Sequence, residues 1–263
     1  MSSTNYSAFI DDMTWSYSRL NSFSSCPYAW YLKYLYGDKE EPMFYASYGS
    51  FMHKLLERFY KGEIPKEQLP TEFLLGFKEN VNGERANSSI VDKYISSGHS
   101  YLSSFKPLPF SVLDVEKKVN FKIGDVNMVG FIDYVGRNDN GRIVIVDHKS
   151  RELKERSKRK KPTKNDEEID KMLTQLYIYS KAIEDEYGEK PEELCFNCFK
   201  NGILIREPFK DKAYDEAKEW VSRTHDVVRN SNDFSPILDY FYCKYLCGFH
   251  NACCYYETAF NEG

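Results

Sequence analysis

The chain has 263 residues, 41% hydrophobic and 29% charged, a composition that suits a globular protein with an ample core. No stretch approaches the ~18 consecutive apolar residues of a membrane span. The polar, acidic start of the chain lacks the pattern of a secretory signal, so a cytoplasmic location is expected. The net charge of −4 excludes a uniformly basic nucleic-acid coat.

The charge is unevenly spread. Nine Lys and Arg between positions 149 and 164 face only Glu152 and Glu155, a local +7 that leaves −11 on the rest of the chain. Such a split reads either as a polyanion-facing patch or as a solvated, partly disordered loop. The seven cysteines are odd in number, which speaks against a disulfide framework. Four of them crowd into Cys243, Cys247, Cys253 and Cys254, a density that points to metal ligation.

The first third reads as helical. Ser18 is expected to cap a short helix carrying Leu20 and Phe23. Pro27 suits the first turn of a helix over 27–36 that Gly37 ends. A longer helix over 45–60 has a stripe of Met52, Leu55, Leu56 and Phe59. A polar region follows, then a helix over 90–105. The period then changes to that of strands, with Val112, Val115, Val119 and Phe121 in one run and 126–134 and 142–147 in two more. Asn138-Asp139-Asn140-Gly141 marks a hairpin turn between the last two. A helix over 166–187 carries Ile169, Met172, Leu176, Tyr179 and Ile183 and stops at Gly188 and Pro191. Strands over 194–199 and 203–205 flank an Asn201-Gly202 turn, and a last helix covers 214–228. This order suits an α/β fold with a mixed central β-sheet flanked by helices.

The chemistry concentrates at strand ends. Asp147 and Lys149 are two apart on a strand and share a face, and the hairpin can bring Asp133 beside them. Converging carboxylates form a hard-oxygen site suited to Mg²⁺ or Mn²⁺, which activates water on a phosphodiester. Lys149 adds positive charge near the scissile phosphate. A bare Asp-x-Lys is otherwise a common exposed ion pair; the upstream Asp133 and the following basic loop raise it above that reading. His53 stacks on Gly49 four residues earlier, where the missing side chain leaves clearance for a metal or a strand. Gln175 and Tyr179 project together from the next helix, with Tyr179 either core or a hold on the DNA backbone. Cys195 and Cys198 have knuckle spacing but fall in a strand, so they read as core.

In chain order, Ser16-Tyr17-Ser18-Arg19-Leu20, Cys26-Pro27-Tyr28-Ala29-Trp30, Gly49-Ser50-Phe51-Met52-His53, Gly130-Phe131-Ile132-Asp133, Asp147-His148-Lys149 and Gln175-Leu176-Tyr177-Ile178-Tyr179 resemble the RecB-like branch of the PD-(D/E)XK nucleases. The resemblance implies a restriction-endonuclease-like core in one domain over 1–263. It implies His53, Asp133 and Asp147 as metal ligands, Lys149 as the catalytic lysine and Gln175 with Tyr179 in support. Glu116 resembles an acidic position found in such proteins. The iron–sulfur members, AddB-like nucleases and CRISPR-associated RecB-like exonucleases, imply a 4Fe–4S cluster on Cys26, Cys243, Cys247 and Cys253. Segments 16–36 and 240–256 would then form a clamp. The Cys243-x3-Cys247 spacing has one residue more than is usual, and Cys254 could replace Cys253.

The expected function is a metal-dependent DNA nuclease, in family terms an exonuclease, acting on single strands or duplex ends. Arg151, Lys154, Lys158, Arg159, Lys160 and Lys161 would contact DNA. No Walker-type phosphate loop is present, so unwinding would belong to a helicase or recombination partner. The size is compatible with a phage-type recombination nuclease. The rivals are a non-catalytic DNA-end-binding scaffold, a zinc-stabilised interaction module and an RNA nuclease.

Overall fold

The computed structural model describes residues 6–82 and 86–260, so both expected domain limits lie outside the described residues. Five strands form one sheet in the order β1 (Ser111–Ile123), β2 (Val126–Arg137), β3 (Ile143–Lys149), β4 (Glu193–Cys198) and β5 (Ile203–Pro208). Strands β1, β2 and β3 run antiparallel in succession, β3 pairs parallel with β4, and β4 pairs antiparallel with β5. The expected mixed sheet is therefore present. The parallel pair needs a crossover, which the long helix α7 (Lys164–Tyr187) supplies. Strand β3 is buried along Ile143 to His148, as a central strand covered on both faces must be.

Two helical layers cover the sheet. Ile143 and Ile145 face a core shared with α7 and α8 (Asp211–Arg229), through Leu173, Leu176, Ala217 and Val221. Val144 and Val146 point the other way, into a cluster that Tyr60 joins from α4 (Phe44–Tyr60). Helix α4 packs in turn against α5 (Leu69–Asn80) and, with it, α6 (Ser88–Ser103) through Phe73, Phe77 and Leu102.

Several local expectations need correction. Ser16, not Ser18, caps α2 (Tyr17–Ser25): its backbone is extended and its hydroxyl accepts from Arg19 N at 3.1 Å. The helix expected over 27–36 is α3 (Pro27–Tyr31) followed by a π turn at Leu32–Tyr36, closed by Gly37 N donating to Leu32 O, with Gly37 at φ 86. The polar region contains α5, whose Leu69, Phe73 and Phe77 are buried four apart while Leu74 and Leu75 stay exposed. Met172 and Phe59 are only partly buried, and Leu173 takes the core position beside Met172.

The basic segment after β3 is a defined loop. Leu153 is buried and its carbonyl accepts from Asn201, while Asn165 exchanges hydrogen bonds with the backbone of Lys154. Asp166 accepts from Ser157 N and, in a capping box with Thr163, starts α7.

Candidate active site

Asp133 lies on β2 where the strand changes face. Ile132 points into the core beneath α7, whereas Tyr134 points into the opposite layer. On β1 the neighbouring residues Val115 and Lys117 pair with Tyr134 and Ile132, and Glu116 between them has φ 50. That left-handed backbone is costly for a residue with a side chain and is retained where a carboxylate must be aimed.

His53 projects from α4 toward the same point. Its Nε2 donates to the carbonyl of His148 at 2.9 Å, so Nδ1 faces Asp133 Oδ1 at 3.5 Å and Glu116 Oε1 at 3.8 Å. Burial alone would lower the His53 pKa, but the Asp133 and Glu116 carboxylates raise it to about 10. Asp133 shows the reciprocal effect. Burial opposes its charge, yet His53 and the His148 amide, which donates to Oδ2 at 2.6 Å, hold the pKa down to about 2.

Asp147 is next to this group on β3. Burial pushes its pKa up to about 6 against the pull of Lys149, and Asp133 adds to the rise. Lys149 Nζ pairs with the buried Asp147 Oδ2 at 2.7 Å. The same ammonium reaches Gln175 Oε1 at 3.5 Å, and Gln175 Nε2 reaches the Tyr179 hydroxyl at 3.5 Å.

The His148 side chain does different work from its backbone. Burial drives its pKa down to about 3, so the ring is neutral, with Nδ1 accepting from Asn197 Nδ2 at 3.0 Å. Asn197 Nδ2 also donates to the Tyr101 hydroxyl, and Tyr60 stacks on the His148 ring. This network was not anticipated. Only the place of His148 between Asp147 and Lys149 could have hinted at it.

Two glycines border the site. A Cβ on Gly130 would fall 2.4 Å from Tyr179 Cε1, so glycine is required for the Tyr179 ring to lie on β2. A Cβ on Gly49 would meet Ser150 Oγ at an ordinary 3.5 Å, so the protein itself does not demand the clearance expected there.

The structure thus brings together His53, Glu116, Asp133, Asp147, Lys149, Gln175 and Tyr179. Donor atoms of His53, Glu116 and Asp133 all lie within 4.8 Å of one another. Asp147 is outside that trio, with its Oδ2 paired to Lys149. An imidazole and two carboxylates with donor atoms at this spacing fit a hard divalent cation such as Mg²⁺ or Mn²⁺.

The basic loop divides by role. Arg151 pairs with Glu168, and Arg156 pairs with Asp170 and with buried Glu207. Lys154, Lys158, Arg159, Lys160 and Lys161 are exposed.

Cys26, between α2 and α3, lines one cavity with three cysteines from the far end of the chain. Cys243 lies on α9 (Tyr240–Tyr245), Cys247 follows it, and Cys253 precedes α10 (Cys254–Phe260). All four thiols are free, and burial raises the pKa values of Cys243, Cys247 and Cys253, Cys247 to about 11, with the neighbouring thiols adding to the rise. Cys254 is exposed, outside the cavity lining, with its sulfur 3.5 Å from the Tyr28 hydroxyl. Cys195 and Cys198 are fully buried in the sheet on opposite faces.

A sheet and site of this kind define a class of phosphodiester-cutting proteins, and the sequence agrees. Residues 14–254 match the PD-(D/E)XK nuclease superfamily, and the chain belongs to it. Among solved structures, a provisionally assigned exonuclease from Eubacterium rectale aligns over 90% of this chain and 88% of its own, at 14% identity and a TM-score of 0.48. The crystal structure of SSO0001 aligns over 94% and 95%, at 16% identity and a TM-score of 0.32. No curated protein matches the sequence significantly. No helix among the described residues is long and apolar enough to cross a membrane.

Proposed function

We propose that the chain is a Mg²⁺- or Mn²⁺-dependent DNA exonuclease of the RecB-like branch, acting on single strands or duplex ends. One observation carries this reading: His53, Glu116 and Asp133 converge within 4.8 Å beside the Asp147–Lys149 pair.

His53, Glu116 and Asp133 would hold the cation, and Asp147, paired with Lys149, would join them from β3. The bound cation supplies Lewis acidity and an activated water. The main chain of His148 orients both the His53 ring and Asp133. Lys149 places its charge where negative charge grows on the phosphate. Gln175 and Tyr179 position Lys149 from the α7 side. In the net reaction water adds to phosphorus and the P–O3′ bond breaks, leaving a 5′-phosphate and a 3′-hydroxyl. The exposed Lys154, Lys158, Arg159, Lys160 and Lys161 would guide the strand by phosphate contacts, with Arg151 contributing from its Glu168 pairing.

The cysteine cavity supports a 4Fe–4S cluster held from both ends of a single domain, with Cys253 favoured over Cys254 by its place in the lining. Its role would be that of a staple. A helicase or recombination partner would supply any unwinding.

The test is digestion of end-labelled single- and double-stranded DNA with Mg²⁺ or Mn²⁺, against EDTA. Metal-dependent shortening from one end supports the reading. Binding without cleavage would instead indicate the end-binding scaffold, and cleavage confined to RNA would overturn the DNA assignment.

A further inference from the structure

The cysteine cavity contains a fifth donor. His250 is only 7% exposed, lines the same cavity as Cys26, Cys247 and Cys253, and holds its Nδ1 3.0 Å from the Cys247 carbonyl oxygen. A carbonyl can only accept, so Nδ1 carries the proton and Nε2 presents a lone pair. That Nε2 is buried and has no hydrogen-bond partner among the described residues. Leaving such a nitrogen unsatisfied is costly, and a metal-ligating histidine typically donates its other ring N–H to a backbone carbonyl.

Five donors then face a centre that takes four. Cys243 Sγ lies 3.9 Å from a carbonyl, that of Ile237, to which a thiol donates, whereas Cys247 and Cys253 meet backbone amides, the partners a thiolate accepts from. Cys243 is also the cysteine whose spacing to Cys247 is irregular. The remaining donors follow the pattern Cys247-x2-His250-x2-Cys253, closed by Cys26 from the other end of the chain.

The geometry points to His250 Nε2 as a ligand of the metal centre in this cavity, together with Cys26, Cys247 and Cys253, while Cys243 stands behind them as a hydrogen-bonding thiol. This rests on the reading of the cavity as a metal site and changes its ligand set. Among the described residues only His53, Glu116 and Asp133 bring three such donor atoms within 4.8 Å. The cavity donors are therefore spread wider than the ~3.8 Å edge of a single tetrahedral zinc with its ~2.3 Å Zn–S bonds. That spread favours an iron–sulfur cluster with one imidazole-bound iron.

The test compares wild type with His250→Ala, His250→Cys, Cys243→Ser and Cys247→Ser, purified without oxygen. Iron, sulfide and zinc per chain, the visible spectrum and the reduction potential are measured. His250→Ala is expected to lose at least fivefold in bound metal, Cys247→Ser likewise, and Cys243→Ser to keep wild-type content. His250→Cys restores the metal with a lower reduction potential, because thiolate replaces imidazole. Should His250→Ala prove insoluble, the contrast between His250→Cys and Cys243→Ser decides. The inference is overturned if His250→Cys is indistinguishable from wild type in potential and spectrum, or if Cys243→Ser loses the metal while His250→Ala keeps it. Zinc without sulfide, lost in His250→Ala, supports the ligand and removes the cluster. Wild-type protein with neither iron nor zinc overturns the metal centre altogether.

Discussion

Asp133 is held by the main chain of His148, whose amide donates to Oδ2 at 2.6 Å. The carbonyl of the same residue accepts from His53, so one residue of β3 aligns two candidate ligands from α4 and β2. The electrostatics of the site depend on backbone position, and point substitutions separate alignment from chemistry.

Asp147→Ala and Lys149→Ala should each slow DNA cleavage by at least about 10²-fold, the scale of losing one group aimed at developing charge. DNA affinity, measured by anisotropy in Ca²⁺, should remain close to wild type. Near-normal cleavage in either variant would remove these residues from the chemistry.

Gly130→Ala should push the Tyr179 ring off β2, since the added carbon would fall 2.4 Å from Cε1. Overpacking of this kind costs about 1–3 kcal/mol. Tyr179→Phe keeps the ring and loses only the contact with Gln175. The expected order of melting temperatures is wild type, then Tyr179→Phe, then Gly130→Ala, with cleavage reduced in both; an unchanged Gly130→Ala would contradict the packing.

The basic loop should yield two different phenotypes. Neutralising Lys158, Arg159, Lys160 and Lys161 should weaken DNA binding and reduce its salt slope by up to roughly 3 for a single strand. Arg156→Ala should instead destabilise the fold on the order of 2 kcal/mol, because it strands buried Glu207. The loss stays below that of a fully buried pair, as the Arg156 side chain is 27% exposed. Urea melts and salt titrations distinguish the two outcomes.

Cys254→Ser should leave the visible absorbance near ~400 nm unchanged, whereas Cys253→Ser should abolish it if iron and sulfide are bound. The reverse result would exchange the two cysteines between surface and cavity.

The sheet was legible because β1 and β2 alternate, β3 and β4 are short continuous apolar runs, and the Asn138-to-Gly141 and Asn201-Gly202 turns separate strands. Asp133 and Asp147 follow from the β2–β3 register, which pairs Tyr134 with Val146 and so sets the two acids side by side. Glu116 was legible only through resemblance, because its aim depends on a positive φ that strand periodicity does not encode. Helix α5 escaped notice because exposed Leu74 and Leu75 interrupt its buried stripe of Leu69, Phe73 and Phe77 and blur the one-sided pattern. In the Asn197–His148–Tyr101 network the bonded partners are 49 and 96 positions apart, a relation visible only once β3 and β4 pair in parallel.

The most direct test of the candidate metal centre is Mn²⁺ binding followed by calorimetry, run beside cleavage for wild type, His53→Ala, Glu116→Gln and Lys149→Ala. Wild type and Lys149→Ala should bind Mn²⁺ comparably, while His53→Ala and Glu116→Gln should bind it about tenfold or more weakly. Cleavage should fall in all three variants. Equal Mn²⁺ affinity across the four proteins, or full cleavage by wild type in EDTA, would contradict a cation held by His53, Glu116 and Asp133.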